Sequence, residues 1–343
     1  MSTDNKLSSV AIFVPYFGKL PNYFPLWLTS CRYNPTIDWF IFTDDKTPFD
    51  YPPNVHVRYC TFDDIRHLLQ KPFEFPIALN RPYKLCDFKP AYGEAFAEYC
   101  RGYDFWGYCE VDLLFGNIRH FITEEILREH DRVFSIGFVS LYRNTKRITE
   151  LYRSKIEGPR PKRVVELFHP KVDGWRPYER AFSIQKNTFF EERGPHTIHA
   201  VCKSAGIALY DQIVYADIRI ESHHFELTHW HIDSAERRKQ CSIFLFSEGK
   251  LSRFFIENGE LCQNEYSHIH LQKRPMDIEL SQLLASSFLI VPNKFIDYNG
   301  NLRIEDVRKL GRFRGIYYHN ARRVFKDRSK SLCSRWIRTL LGI

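Results

Sequence analysis

The sequence predicts a mixed α/β fold in which a mainly parallel sheet is flanked by helices. Three apolar runs near the N-terminus have the length and composition of strands, and a helical segment separates the first two as a parallel connection requires. The first run, VAIFVP, is apolar throughout, as expected for a strand covered on both faces. A chain of 343 residues that is 44% hydrophobic and 16% aromatic can bury such a core and is not generally disordered.

The N-terminal elements follow one another in a regular order. SSVAIFVPYFG predicts the first strand, NYFPLWLTSCRYNP a helix that ends at Asn-Pro, and IDWFIFTDD a second strand. VHVRYCTF predicts a third strand, which is followed by two helical segments, FDDIRHLLQ and YKLCDFKPAYGEAFAEYCRG. The segment YDFWGYCEVDLLFGNI then has the apolar and aromatic character of a buried strand. We expect ligands to gather at the carboxyl ends of such parallel strands.

In the second half of the chain, predicted strands and helices alternate less regularly. DRVFSIGFVSLYRN predicts strand, TKRITELYRSKI predicts helix, and EGPRPKRVVELFHPKVDGWRP is an irregular, proline-rich excursion that we expect to cover a site. PHTIHAVCKSAG predicts a helix stopped by Gly206, and IALYDQIVYADIRI contains strands. CSIFLFSEGKLSRFFIENGE alternates around two glycine-containing turns and predicts a hairpin.

Charge divides the chain into a predicted domain over residues 1–300 and a basic helical tail over residues 301–343. The net charge is +8, and the segment from Arg303 to the end contains 12 Lys or Arg against 3 Asp or Glu, so nearly all the excess lies there. Apolar residues recur at helical spacing in the tail. Such a helix either attaches to an anionic membrane surface or docks on the protein's own core. The stripe consists of Val324, Leu332, Trp336, Leu340 and Ile343.

Cysteine usage and the N-terminal segment indicate the compartment. The opening MSTDNKLSS is polar, and the apolar run behind it is too short for a signal-peptide core or a membrane span. The nine cysteines are scattered and never in Cys-x-x-Cys spacing, which argues against a disulfide framework and against a zinc site. We therefore expect a protein of the reducing cytoplasm.

Two carboxylates in the predicted buried strand, Glu110 and Asp112, require compensation. Residues two apart in a strand project to the same face, so both side chains can converge on one point. Buried like charges are costly, and a divalent cation such as Mg²⁺ or Mn²⁺ would neutralise them. The alternative is a solvated acid pair at the strand end, or one that forms a salt bridge to Arg or Lys.

These segments resemble GT-A glycosyltransferases, and most specifically a glycosyltransferase-like family of bacterial surface-polysaccharide loci (capsule or O-antigen). YDFWGYCEVDLLFGNI resembles the Asp-x-Asp segment of that fold, with Glu110 where the first Asp is common. Similar segments are VPYFGKLPNYFPLWLTSCRYNP, FIFTDD, YKLCDFKPAYG and HIHLQKRPM, in the order that a GT-A domain requires. The resemblance implies a GT-A-like, Rossmann-like fold that transfers a sugar, by default from a UDP-hexose, with Mn²⁺ or Mg²⁺ on the diphosphate.

The resemblance also implies an acceptor and a location. The acceptor would be a saccharide or a lipid-linked saccharide, and the enzyme would be cytoplasmic, with the tail holding it at the inner face of the plasma membrane. No nucleic-acid partner is implied.

Donor-binding candidates precede the Glu110–Asp112 segment. By resemblance, Asp87 and Lys89 contact the nucleoside, and Lys84 points into the same cleft. The alternative for these three is helix-end electrostatics and a surface salt bridge. Asp44, with Asp45, ends the second predicted strand and would contact the base or ribose, although a capped turn explains both residues nearly as well.

The late segment HIHLQKRPM supplies further candidates. By resemblance, His270 is the third metal ligand, ranked above His268, and Lys273 and Arg274 contact the diphosphate. A structural role is the alternative for the histidines, but two bases so close after His270 favour a phosphate-facing segment.

Catalytic candidates on the acceptor side come from two segments. YDQIVYAD resembles the Asp-Gln pair near the reacting sugar of some retaining enzymes, which nominates Asp211 and Gln212. FFEERGPH offers Glu191, with Glu192 beside it. An ordinary surface acid is the alternative at each position, and the choice between them decides whether the sugar linkage is retained, the outcome expected here, or inverted.

Two other functions compete with sugar transfer. A glycoside hydrolase would use Glu110 and Asp112 as acid and base or nucleophile, but such enzymes place two carboxylates on either side of the scissile bond, whereas this pair points one way. A nucleic-acid binder would depend on the basic tail alone, because the remainder of the chain is nearly neutral and contains no RNA-binding motif.

Overall fold

The structure is a computed structural model that describes residues 7–74, 76–77, 79–154, 198–219, 224–228, 240–281, 286–298 and 300–312. Its strands are β1 Val10–Pro15, β2 Ile37–Thr43, β3 Val55–Tyr59, β4 Phe105–Cys109, β5 Leu113–Phe115, β6 Arg132–Val133, β7 Val139–Arg143, β8 Leu209–Tyr210, β9 Ala216–Asp217, β10 Ser242–Ser247, β11 Lys250–Glu257, β12 Glu260–Glu265, β13 His268–His270, β14 Asp277–Glu279, β15 Ser287–Val291 and β16 Lys294–Asp297.

The helices of the described residues are α1 Phe24–Arg32, α2 Phe62–Gln70, α3 Leu85–Phe88, α4 Tyr92–Ala95, α5 Ile118–Phe121, α6 Glu124–Glu129, α7 Lys146–Thr149, α8 Ile198–Ser204 and α9 Ile304–Leu310. Short 3-10 turns cover Pro82–Lys84, Lys89–Ala91 and Leu151–Arg153. No helix in this part of the chain is both long enough and apolar enough to cross a membrane.

Seven strands form the main sheet, in the order β3-β2-β1-β4-β7-β6-β8. The first four are mutually parallel, and β7 runs antiparallel to both of its neighbours. Strand β1 is central and buried along nearly its whole length, in agreement with its continuous apolar sequence. The predicted mixed, mainly parallel sheet flanked by helices is confirmed.

The first helices begin and end where their sequences place signals. Helix α1 has a proline in its first turn, where a missing N–H costs nothing. Helix α2 begins with a capping box, in which the Thr61 hydroxyl accepts from the Asp64 N–H and the Asp64 carboxylate accepts from the Thr61 N–H. The predicted long helix after it is broken into α3 and α4, joined by the 3-10 turn Lys89–Ala91, because Pro90 has no N–H to donate to a helical hydrogen bond.

Two smaller sheets complete the body. The C-terminal sheet has the order β12-β11-β10-β15-β16-β14, and its β10–β11 hairpin confirms the prediction from the alternating sequence. Glu248 and Gly249 at the hairpin tip both have positive φ, as a tight two-residue turn requires. The third sheet, in the order β5-β13-β9, joins segments that lie far apart in the chain.

One apolar core runs between the main and C-terminal sheets. It includes Val14, Trp27 and Trp39 from the N-terminal half and Phe246 and Phe288 from the C-terminal sheet. Burial of such large side chains is the main favourable contribution to folding. The two sheets therefore belong to one body.

Helix α9 changes the interpretation of the tail. The predicted boundary at residue 300 precedes α9, whose Val307 is fully buried against Ile243 and Leu289 of the C-terminal sheet. The start of the predicted tail is therefore packed on the folded body. The remainder, residues 313–343, lies outside the described residues, so membrane attachment through it stays a prediction.

The Glu110–Asp112 segment differs from the expected single strand. Strand β4 ends at Cys109, and the chain turns through residues 110–112 before β5 begins at Leu113. The turn is needed because β4 pairs within the main sheet, whereas β5 pairs with β13 in the third sheet. Both acids therefore lie at the carboxyl end of β4, next to the end of β1.

Candidate metal and donor site

The third sheet assembles the site. Strand β13 lies between β5 and β9, and His270, its last residue, pairs with Leu113 on one side and Asp217 on the other. The backbone N–H of Leu271 donates to the Asp112 carbonyl at 2.9 Å. The register of β13 against β5 and β9 therefore brings side chains from three distant segments to one end of this sheet.

Asp112 is almost completely buried, with only 2% of its surface exposed. Its Oδ2 accepts from the Lys273 backbone N–H at 2.7 Å and lies 3.6 Å from the His270 Nε2. Burial is the largest single influence and would raise the pKa of this carboxyl group, but the charge and hydrogen bonding of His270, the charge of Lys273 and a backbone hydrogen bond together lower the pKa to about 2. Asp112 is therefore a carboxylate at any physiological pH.

His270 is held on three sides. Its Nδ1 is 2.8 Å from Asp217 Oδ1, and its ring stacks on Phe138 with centroids 4.1 Å apart. Its Nε2 points toward the two acids, 3.6 Å from Asp112 and 4.0 Å from Glu110. Burial disfavours the charged ring, but Asp112 and Asp217 reverse that effect and raise the pKa of His270 to about 10. Without a metal, the imidazole is protonated at neutral pH.

Glu110 forms an ion pair with a lysine that precedes it in the chain. The Lys89 ammonium donates to Glu110 Oε1 at 2.6 Å and to the Gly137 carbonyl at 2.7 Å. Burial opposes ionisation of both groups. The attraction between them nevertheless raises the pKa of Lys89 and lowers that of Glu110. Lys89, protonated His270 and Lys273 thus supply the positive charge that compensates half-buried Glu110 and buried Asp112.

Three side chains at this point fit a divalent cation. One ligand atom from each of Glu110, Asp112 and His270 lies within 4.8 Å of the others. Asp112 Oδ1 and His270 Nε2 are buried and have no hydrogen-bond partner among the described residues. Buried polar atoms rarely lack a hydrogen-bond partner unless a bound ligand, ion or water supplies the missing contact. Carboxylate oxygens with one imidazole suit Mn²⁺ or Mg²⁺, provided that His270 gives up its proton.

Lys273 follows this cluster in a tight turn. The Arg274 N–H donates to the Leu271 carbonyl at 2.9 Å, and the two residues between them, Gln272 and Lys273, have φ of 51° and 56°. Positive φ at both central positions is the pattern of a type I′ turn. Gln272 Nε2 also donates to Asp217 Oδ1 at 2.8 Å, so the same aspartate holds both His270 and the turn.

The predicted nucleoside contacts lie on the helical segment that precedes β4. Lys84 and Asp87 form a buried ion pair with each other one turn apart. The ammonium of Lys89 is occupied by Glu110 and Gly137, as described above. At the end of β2, exposed Asp44 accepts from the Gly18 N–H at 2.7 Å, which links the loops that follow β1 and β2. Nucleoside contact by these residues stays a prediction.

Two residues of the late segment are engaged in contacts within the protein. The Arg274 guanidinium is buried, donating to Asn293 Oδ1 at 2.8 Å and to the Arg219 carbonyl at 3.1 Å. His268 is buried and stacks on Tyr215, with centroids 5.3 Å apart. These contacts favour structural roles, so we leave both residues out of the proposed donor site.

Of the acceptor-side candidates, only Asp211 and Gln212 lie among the described residues. Asp211 and Gln212 are exposed in the loop between β8 and β9. Glu191 and Glu192 lie outside the described residues, as does the whole of the predicted proline-rich excursion. A catalytic role for any of them stays a prediction.

Sequence reasoning missed the residues that support His270. Asp217 lies in the same YDQIVYAD segment that nominated Asp211, and its position at a strand end is a signal that points to a site. Phe138 and Gln272 carry no comparable signal, because their roles depend on contacts between distant segments.

The fold and the cluster of Glu110, Asp112 and His270 together define a mixed α/β protein with a candidate divalent-metal site at the carboxyl end of strand β4. The chain belongs to the family of unknown function DUF6625, whose model matches residues 12–299. Among curated proteins no sequence match is found.

Solved structures with some likeness include the glycosyltransferase GlyE of Streptococcus pneumoniae TIGR4, in its apo form and in a second structure. Their sequence identities are 12% and 14%, both TM-scores are 0.29, and the matches cover 61% and 60% of this chain. This chain spans less than half of GlyE, 46% and 45% of the two chains. A galactosyltransferase LgtC in complex with donor and acceptor sugar analogues is 10% identical, with a TM-score of 0.31 and coverage of 61% of this chain and 75% of LgtC. Likeness this loose does not transfer an activity to this chain.

Proposed function

We propose that this protein is a metal-dependent glycosyltransferase that takes a sugar from a nucleotide-sugar donor. The observation that carries the proposal is the cluster of Glu110, Asp112 and His270, in which two buried ligand atoms have no hydrogen-bond partner in the part of the chain that the structure describes. The cluster lies at the carboxyl end of a central strand, where open α/β sheets bind ligands. The sequence resemblance to GT-A enzymes implies the same class.

The leaving nucleoside diphosphate is the group that such a site would stabilise. Mn²⁺ or Mg²⁺ bound there supplies positive charge to the diphosphate as the bond to the sugar breaks. Asp112 and His270 would hold such an ion together with Glu110, whose other oxygen is paired with Lys89. The exposed Lys273 side chain adds a cation beside the cluster.

Ionisation of both acids disfavours the alternative of a glycoside hydrolase. That mechanism needs one carboxyl group with a raised pKa that stays protonated and donates to the leaving oxygen. In this site the pKa of Glu110 and that of Asp112 are both lowered, because Lys89 and His270 stabilise the carboxylates. A pair in which both members are anionic suits a cation instead.

Finer features of the proposal rest on the sequence resemblance. They are a UDP-hexose donor, transfer with retention, and a saccharide or lipid-linked saccharide acceptor in bacterial surface-polysaccharide synthesis. Asp211 and Gln212, or Glu191, are the catalytic candidates, and Asp44, Lys84 and Asp87 the donor-binding candidates. Attachment to the inner membrane surface would depend on the basic tail.

A donor panel tests the proposed function. The protein is incubated with UDP-, GDP-, CMP- and dTDP-linked sugars and Mn²⁺, and release of the nucleotide is followed. We expect release from one donor class, loss of release in excess chelator, and loss in Asp112→Asn. Release from a donor that persists undiminished in both chelator and Asp112→Asn would contradict the role of the cluster, and no release from any donor would contradict the proposed class.

A further inference from the structure

We propose that Tyr83 is a positioning residue that holds the Lys273 ammonium beside the metal cluster, ready for a diphosphate. Tyr83 lies in the 3-10 turn Pro82–Lys84, and 57% of its surface is exposed. The Lys273 ammonium nitrogen is 5.4 Å from the centroid of its ring, within the range of a cation–π contact. The proposal rests on the proposed function, because it assigns Lys273 to the diphosphate of the donor.

An exposed aromatic ring is itself unusual here. Among the described residues, the large hydrophobic side chains that are strongly exposed are Leu7, Tyr59 and Tyr83. The Arg81 guanidinium carbon is 5.9 Å from the same Tyr83 ring. Two cations therefore share one exposed ring next to a site proposed to bind an anion, an arrangement that core packing does not explain.

The backbone independently directs Lys273 to this place. Left-handed φ is unfavourable at non-glycine residues, and the turn contains two such residues in succession, Gln272 and Lys273. Hydrogen bonds from the Lys273 N–H to Asp112 and from the Gln272 side chain to Asp217 hold the turn in this conformation. Such strain is kept where surrounding structure over-determines the backbone, commonly at ligand sites.

Holding the ammonium in advance reduces the entropy lost on binding. Lysine has four rotatable bonds, and fixing them for one ligand contact is costly. A ring that already restricts the side chain removes part of that cost from the binding step. Tyr83 thus acts through Lys273, without a contact of its own to the diphosphate.

Calorimetric titration of the full chain with inorganic pyrophosphate in the presence of Mn²⁺ tests this role. Tyr83→Leu should weaken binding about two- to fivefold, the range of one exposed cation–π contact. Tyr83→Phe keeps the ring face and should bind like wild type. Tyr59→Leu is the matched control, because Tyr59 is 48% exposed and lies at the end of β3, and it should also bind like wild type.

A double-mutant cycle with Lys273→Met separates positioning from a structural effect. If Tyr83 acts through Lys273, Tyr83→Leu should have no further effect once the ammonium is gone. Three results would overturn the positioning role without touching the proposed function. Tyr83→Leu could weaken pyrophosphate binding equally with and without Lys273→Met. It could instead tighten binding, or leave binding unchanged while wild type binds. Failure of wild type to bind pyrophosphate better than Asp112→Asn would overturn the proposed function as well.

Discussion

Replacing Lys89 by Met removes the ammonium that compensates Glu110 while keeping a side chain of similar length. Removal of one partner of a buried ion pair costs about 3–5 kcal/mol. Because the Glu110 side chain remains 27% exposed, we expect the lower end, about 3 kcal/mol, in the free energy of unfolding. About 1 kcal/mol of this is the lost hydrogen bond to the Gly137 carbonyl.

Urea denaturation in the presence of chelator measures this loss, and a second substitution shows its origin. Adding Glu110→Gln to Lys89→Met removes the uncompensated carboxylate and should restore all but about 1 kcal/mol, because the Gly137 carbonyl still lacks its donor. Saturating Mn²⁺ should stabilise Lys89→Met more than wild type, since the ion then neutralises Glu110.

Two results would refute this reasoning. The first is that Lys89→Met unfolds at the same urea concentration as wild type, which would mean that the ion pair contributes nothing to stability. The second is that Glu110→Gln restores no stability in the Lys89→Met background, which would mean that the loss arises from packing and not from charge.

Three further predictions address the support of His270, pH dependence and the tail. Asp217→Asn should weaken Mn²⁺ binding about 10- to 100-fold in calorimetry, because His270 loses the carboxylate that orients it; unchanged affinity would contradict this. Hydrogen bonds from Thr47 and Leu20 lower the pKa of Asp45, so its contribution is present above about pH 4 and lost as pH falls further. Asp45→Asn should therefore cost about 1 kcal/mol at pH 7, and the cost should shrink as pH falls below about 4 in denaturation experiments, whereas a constant difference would contradict the assignment. The full chain should sediment with anionic vesicles at low salt, whereas a chain ending at Arg323 should not; equal sedimentation would remove the tail from membrane attachment.

The parts of the fold that the sequence predicted well are those with local causes. The β1–α1–β2 order follows from continuous apolar runs, and the β10–β11 hairpin follows from alternation around Glu248–Gly249. Predictions were wrong where a distant partner or a single residue decided the outcome. Pro90 divides the expected long helix, and β5 leaves the main sheet to pair with β13, more than 150 residues later.

The candidate site shows the same division between features with local causes and features that depend on distant contacts. Spacing and chemistry singled out Glu110 and Asp112, the resemblance to GT-A enzymes added His270, and the structure brings the three side chains together. The pairing of Lys89 with Glu110, and of Asp217 with His270, depends on tertiary contacts and on the register of β9 against β13. Neither pairing leaves a pattern in one sequence, so the sequence analysis did not predict the Lys89–Glu110 ion pair and missed Asp217.

Anomalous scattering from Mn²⁺ in crystals of the protein tests the central claim most directly. We predict one strong anomalous peak in contact with Asp112 and His270, near the second oxygen of Glu110, and no peak there in Asp112→Asn. Absence of a peak at this point in wild-type crystals grown with Mn²⁺ and pyrophosphate, or an undiminished peak in Asp112→Asn, would contradict the assignment of these three residues as a metal site.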